Sequence, residues 1–235
     1  MPYRQTERSR RHNAAVRDRI VAAARRLFAE EGYTGTTIRR VAESAGTSTG
    51  NVYFHIGGKD ALLEAVARTF VGEAAVIIDS IAEEAEEAVE KMATLVYAGA
   101  REFYRRSNEA RVVMKNLDRR VVREAVYTVF VERTEAFFAG AYAAGILDGL
   151  SGDAALAGVA GRAPEDAHAM ALAWQGAIFW VLEDILDHRG ESGRRDGDAA
   201  ASFLVGWNLR ALGLPDERVA PALRAARRRY QAKRR

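Results

Sequence analysis

Apolar residues recur along the chain at intervals of three and four. No run of four or more residues alternates apolar with polar beside a hairpin turn, so the pattern predicts an all-α protein. Val16, Ile20, Ala24, Leu27 and Phe28 mark one face of a first helix, which Gly32 is expected to stop after Glu30 and Glu31. Thr36 is expected to cap a short second helix whose stripe is Ile38, Val41, Ala42 and Ala45 and which ends at Gly46. Thr47 or Ser48 then caps a third short helix reaching about Phe54. Gly57 and Gly58 release the chain into a longer fourth helix carrying Leu62, Val66 and Phe70.

Beyond Ile81 the elements lengthen. Residues 81–106 and roughly 109–145 read as helices, the first opening with Glu83, Glu84, Glu86, Glu87 and Glu90, which read as a solvated face. A Gly- and Asp-rich loop is expected at 148–161. Pro164 then opens a helix closed by His188, Arg189 and Gly190, with Glu165 and Asp166 complementing its dipole. After a loop at 191–197, Asp198 is expected to cap the next helix, and Gly213 with Pro215 to end it. Val219, Leu223, Ala226 and Tyr230 follow among arginines and fit either a docked basic helix or a disordered tail. Three regions are therefore expected: 1–58, 59–214 and a basic tail, 215–235.

Composition narrows the function classes. With 49% apolar residues, 4 Pro and no Cys in 235 residues, the chain can bury a core, and disulfides, thiolate metal sites and Cys nucleophiles are excluded. Met1 to Arg19 has no apolar core of the kind a signal peptide needs, and the apolar stretch Ala167 to Leu182 stops at Glu183. The expectation is a cytoplasmic protein with no membrane partner. The net charge of +3 hides a split: residues 1–60 hold 11 Lys and Arg against 6 Asp and Glu, and residues 218–235 hold 8 against none. The acidic middle leaves the two ends to meet any polyanion.

Residues 38–55 carry the tightest pattern, a helix-turn-helix. Ala42 is small where two helices cross, Gly46 four residues on can adopt positive φ, and Val52 six further plugs the space between them. The exposed side of the third helix then offers Thr47, Ser48, Thr49, Asn51, Tyr53 and His55. Ser, Thr and Asn suit base edges, while Thr and Tyr hydroxyls and Lys59 suit phosphates. Arg4, Arg8, Arg10 and Arg11 in front add a phosphate-seeking segment, whose bland alternative is a solvated tail.

On these residues, especially G-Y-T-G-T-T-I at 32–38, A-x-x-x-G at 42–46 and N-V-Y-F-H with K-D-A-L-L at 51–63, the stretch 17–70 resembles the DNA-binding domain of the tetracycline-repressor (TetR) family of bacterial regulators. The resemblance implies a three-helix DNA-binding domain followed by a larger helical bundle for ligand binding and dimerisation. It further implies a homodimer on a palindromic operator, controlled by a small effector, with no catalysis and no cofactor. Carried over by position, Thr36 and Thr37 meet phosphate and Arg39 reaches a base. Thr47, Ser48, Thr49 and Asn51 read bases, Tyr53 and His55 touch the backbone, and Lys59 anchors phosphate. Two departures are Thr49, where the family often has a long polar side chain, and Gly57-Gly58 in place of a Pro-Ser-like entry.

The rest of the chain rests on pattern. The helix at 164–189 is apolar on two sides, its second stripe being Leu172, Phe179 and Leu186, and the helix at 198–212 offers Phe203 and Trp207 on one side and Val205, Leu209 and Leu212 on another, so a second copy is the expected partner. Phe103, Asn116, Tyr127, Phe137, His168, Trp174 and Gln175 are candidates for an apolar effector cavity. Asp184, Asp187 and His188 are too weak a set for a metal, and His188 reads as a helix-end cap. An all-helical enzyme is the main rival, without a nucleophile motif or phosphate loop to support it, and an adaptor using the motif for protein contact is a second.

Overall fold

The computed structural model describes residues 7–143, 165–188 and 196–234, and among them helices account for nearly everything and no strand occurs. Arg4, the predicted loops at 148–161 and 191–195, and the helix boundaries at Pro164, Arg189 and Gly190 lie outside the described residues. Two compact units form, residues 1–70 with 108–125, and 71–107 with 126–235.

In the first unit, α1 (Glu7–Gly35) buries Val16, Ile20, Ala24, Leu27 and Phe28, the stripe read from spacing, and Gly32 breaks it at φ 74°. Arg8, Arg10 and Arg11 sit in its first turns, with Arg11 paired to Glu7. In α2 (Ile38–Ser44) the cap is Thr37, whose Oγ1 accepts from the Arg40 amide at 3.2 Å. Thr36, the expected cap, lies one residue before that cap. It is 1% exposed, and its hydroxyl donates to the Gly32 carbonyl at 2.9 Å. The chain leaves α2 with Gly46 at φ 63°, its amide on Glu43 O at 3.2 Å and the Thr47 amide on Ala42 O at 3.0 Å. This paired closure satisfies two of the helix's last carbonyls and needs a residue without Cβ at the left-handed position. Ser48 caps α3 (Thr49–Ile56), accepting from the Asn51 amide at 3.1 Å, and Val52 is fully buried beneath it.

α4 (Lys59–Ala82) is continuous, its first half burying Leu62, Leu63, Val66 and Phe70. The helix expected over 109–145 is broken into α6 (Ser107–Met114), α7 (Arg120–Val126), a π turn (Tyr127–Val131) and α8 (Glu132–Ala143). The break at 115–119 has a local cause. The Asn116 amide donates to Val112 O at 2.8 Å, competing for a helix carbonyl, and its Oδ1 accepts from Arg119 at 3.2 Å.

The second unit is built around α5 (Ala88–Arg105), which buries residues on several sides and packs chiefly against α10 (Gly197–Ala211) and α11 (Asp216–Lys233). The helix expected from 81 starts only at Ala88, so the glutamate run falls mostly in a connection. Two of its members are not merely solvated, Glu84 meeting Lys233 at 3.2 Å and Glu90 meeting Arg229. Asp196, not Asp198, caps α10, its carboxylate accepting from the Ala199 amide at 2.7 Å. Asp198 lies one turn-position inside, where it accepts from the Tyr97 hydroxyl and from Arg227 Nε at 3.1 Å.

The basic C-terminal segment is a docked helix. Val219, Ala222, Ala225, Ala226 and Tyr230 are its buried positions, and Leu223 is half-buried. Its charges face acids of the same unit. Fully buried Glu102 accepts from Tyr230 Oη at 2.9 Å, Arg234 Nε at 3.0 Å and Arg105 at 2.8 Å. Burial pushes the Glu102 carboxyl up, but these donors outweigh it and hold it below the usual carboxylate range. Beside it, burial and the bond to Asp198 push the Tyr97 phenol up to about 12.

α9 (Glu165–Asp187) completes the unit by packing on α8 and α5. Its apolar stretch, Ala167–Asp187, is 21 residues long at a mean hydropathy of 1.3, longer than the sequence reading that ended it at Glu183. Glu183 and Asp184 near its end do not stop the pattern, which resumes at Ile185 and Leu186. One side of the helix is buried within the unit, while Leu172 and Trp180 on another are exposed.

Candidate nucleic-acid interface and ligand cavity

The α2 to α3 turn presents a polar surface. Ser48, Thr49 and Asn51 are exposed, Thr47 is half-buried, and Tyr53 is 56% exposed. Asn51 Nδ2 donates to Thr47 Oγ1 at 2.9 Å, which ties the two side chains across the first turn of α3. Arg39 and Thr37 are exposed on α2, Arg39 reaching Glu43 at 2.9 Å, an i,i+4 pair in water that leaves the guanidinium easily redirected. Thr36 is the exception among the expected DNA contacts. Its side chain is buried and spent on Gly32, so only its backbone is left for a phosphate.

Lys59 is less free than its sequence position suggests. Its Nζ lies 4.3 Å from the centre of the Tyr33 ring and 3.4 Å from Thr34 O, while Arg119 covers the same ring at 4.2 Å. Tyr33 donates to Asp60 at 2.7 Å, and Arg119 meets that carboxylate at 3.0 Å. Partial burial and Asp60 together raise the Tyr33 phenol. The two cations are thereby held at the start of α4 by aromatic and acidic neighbours.

Sequence reasoning passed over Phe54. It is 76% exposed on α3, its ring meeting the half-buried His55 ring edge-on at 4.9 Å. The signal was available, since Phe54 sits two residues beyond the buried Val52 on a helix with one inward face.

The second unit contains a cavity of about 330 Å³ lined by α4, α5, α8, α9 and the π turn. Of the residues expected at an effector cavity, Phe103, Phe137, Trp174 and Gln175 are among its lining. Asn116 lies in the first unit, and Tyr127 and His168 form a separate cluster with Glu135, which sits 2.8 Å from His168 Nδ1. Further aromatic lining comes from Phe130, Phe138 and Phe179, with Met92 on α5 and a paired Asp79 and Arg133 at the wall.

The outer faces of α9 and α10 expose Leu172 and Trp180, and Phe203 and Trp207. The expected excess of apolar residues is smaller than the stripes implied. Leu186 on α9 and Val205 and Leu209 on α10 are all buried within the chain, where α10 packs on α5 and α9 packs on α8, α10 and α5. At the end of α9, His188 Nδ1 lies 2.8 Å from Asp184 O, the helix-end contact expected of it.

Residues 20–66 match the model of bacterial regulatory proteins of the tetR family. The HTH-type transcriptional repressor AcnR of Corynebacterium efficiens is 48% identical over 52 residues, 22% of this chain and 28% of AcnR, so the chain spans little more than a quarter of that relative. Solved structures extend the likeness along the chain. RolR in complex with resorcinol superposes with a TM-score of 0.63 at 18% identity, over 93% of this chain and 96% of RolR. A tetR-family regulatory protein from Rhodococcus RHA1 gives 0.57 at 25% identity, over 86% and 98%. The motif at 32–63, its glycine turn and the surface that turn presents belong to a tetR-family helix-turn-helix domain, and the helical chain around it has the fold of TetR-family regulators.

Proposed function

We propose that this chain is a cytoplasmic transcriptional repressor that binds a palindromic operator as a homodimer and is released or retained by a small effector. The observation that carries the reading is the capped α3 helix, buried at Val52 and exposing Thr49, Asn51 and Tyr53 beside the exposed Arg39. Short polar side chains on the first turns of such a helix match the base edges of a major groove, and surrounding hydroxyls and cations match phosphates. Thr37, Arg39, Thr47, Ser48, Thr49 and Asn51 form the reading and positioning set, with Tyr53, His55 and Lys59 on the backbone.

A second copy fits the outer faces of α9 and α10, where Leu172, Trp180, Phe203 and Trp207 stand in solvent. Large exposed apolar side chains gathered on two neighbouring helices are costly in a monomer. A two-fold partner covers them and sets paired α3 helices about 34–36 Å apart, one helical turn of DNA. The cavity of the second unit supplies the effector site, and the RolR complex with resorcinol supports small-ligand binding in this fold. An effector favouring another spacing lowers operator affinity, and DNA lowers effector affinity by the same factor.

Selection of genomic fragments by the full chain, followed by mobility shift of the recovered duplexes under salt titration, tests the reading. A preferred duplex with two-fold symmetry is expected. Equal affinity for all duplexes at every salt concentration rejects it in favour of an adaptor or an enzyme.

A further inference from the structure

We propose that the cavity of the second unit takes a compact, uncharged aromatic molecule bearing one hydroxyl or N–H donor, and that this donor is read by Oε1 of Gln175. The inference rests on the reading of this cavity as the effector site.

Gln175 is 9% exposed and lines the cavity from α9. Its Nε2 donates to Thr134 Oγ1 at 2.7 Å and lies 3.5 Å from Phe130 O. The Thr134 hydroxyl itself donates to Phe130 O at 2.7 Å, so only a lone pair of Thr134 faces Gln175. That fixes which end of the carboxamide is nitrogen: reversed, its oxygen would confront acceptors. The π turn at Tyr127–Val131 belongs to this arrangement, since Phe130 within it supplies the carbonyl that both side chains use. Gln175 Oε1 is left with no protein donor among the described residues. An acceptor held rigidly in an apolar cavity favours a ligand that donates to it.

The surroundings set the rest of the ligand. Phe130 stands 5.8 Å from Phe103 and 6.2 Å from Phe179, and Phe138 stands 5.5 Å from Trp174, all tilted or edge-on. These rings give edge and face partners for another ring. Asp79 pairs with Arg133, and with Glu83 and Lys91 also at the wall the lining carries no net charge, so its charge balance favours neither sign of ion. A volume of 330 Å³, at about 30 Å³ per water-sized group, admits on the order of ten heavy atoms.

The test titrates 2-naphthol, 2-methoxynaphthalene and 2-naphthoate into the full chain without DNA, read by tryptophan emission and calorimetry. 2-Naphthol is expected to bind about tenfold tighter than its methyl ether, the worth of one neutral hydrogen bond, and tighter than the naphthoate. Gln175→Met should narrow the naphthol-to-ether ratio to about twofold while the ether keeps its affinity. Thr134→Val, which keeps Gln175 but frees its amide, should lower the ratio partway. Equal binding of naphthol and ether, tightest binding of the naphthoate, or no binding of any of the three overturns the proposal. Because these titrations contain no DNA, they separate the two readings. Naphthol binding that leaves a selected duplex's affinity unchanged rejects the effector role alone, whereas failure to select any duplex rejects the regulator.

Discussion

Asn51 donates from Nδ2 to the Thr47 hydroxyl at 2.9 Å, so the two side chains at the start of α3 act as one polar unit. The second Nδ2 hydrogen and Oδ1 remain to meet a base edge. Asn51→Ala should therefore relax preference at one base position, costing roughly 1–3 kcal/mol on the selected duplex and little on random DNA. Thr47→Val should share part of that loss, and the double variant should lose less than the two singles added. Fluorescence anisotropy on the selected duplex and its single-base variants measures all three. An equal loss on specific and random DNA in Asn51→Ala contradicts a reading role.

Lys59 and Arg119 share the Tyr33 ring but should differ in consequence. Lys59→Ala should weaken binding to every duplex and reduce the salt slope by about one, as for a single phosphate contact. Arg119→Ala should lower stability by about 1 kcal/mol through the lost ring and Asp60 contacts, with the slope unchanged. Thermal melts and salt titrations of both variants make the comparison, and a slope change in the Arg119 variant alone would reverse the assignment.

The buried Glu102 gives a pH test of how α11 is held. Its folded-state pKa is lowered, so its stabilisation is fully present above the ordinary carboxylate value, about 4.3, and is lost as pH falls through the lower folded value. Glu102→Gln leaves Arg105, Arg234 and Tyr230 without their anion and should cost about 3 kcal/mol at neutral pH. For a chain of this size that is a drop of about 6–12 °C in Tm. The gap between wild type and variant should hold from pH 7 to about 5 and narrow progressively as pH falls below the ordinary carboxylate value, about 4.3. A gap that persists unchanged at pH 3 rules out the carboxylate as its source.

What the sequence made legible was local. Gly46, Ala42 and Val52 specify the turn by sterics that need no other part of the chain, and the buried stripe of α1 follows from spacing alone. Thr36 was misread because two adjacent threonines are equal candidates for a cap, and only the inward turn at Gly32 decides between them. Likewise Asp196 and Asp198 are both good caps by type, and the Tyr97 hydroxyl more than ninety residues away claims one of them. The break at 115–119 and the π turn at 127–131 depend on side-chain bonds to helix carbonyls, which periodicity does not encode. The cavity was half legible for the same reason. Aromatic residues were visible, but which of them face one space depends on how four helices pack.

The exposed tryptophans test the paired assembly. Of the three tryptophans, Trp174 is buried while Trp180 is 75% and Trp207 50% exposed. If a second copy covers α9 and α10, dilution should red-shift tryptophan emission as Trp180 and Trp207 become wet. Trp180→Glu and Trp207→Glu should each elute as monomers with unchanged helicity, since neither side chain supports the core of one chain. A wild-type chain that sediments as a monomer at micromolar concentration removes the dimer.

Phe54 supplies the last test, because an apolar ring 76% exposed on α3 gains nothing from water. On a helix facing a major groove its natural partner is the C5-methyl of thymine, the one apolar group on a base edge there. Phe54→Ser should lower affinity for the selected duplex at thymine-containing positions, and replacing the contacted thymine by uracil should cost the wild type about as much as it costs to remove the ring. In the Phe54→Ser protein the same uracil replacement should be nearly silent, since the methyl has already lost its partner. Additive losses from the protein and DNA changes at every thymine would place Phe54 away from the bases, and the preference of α3 would then rest on its polar residues alone.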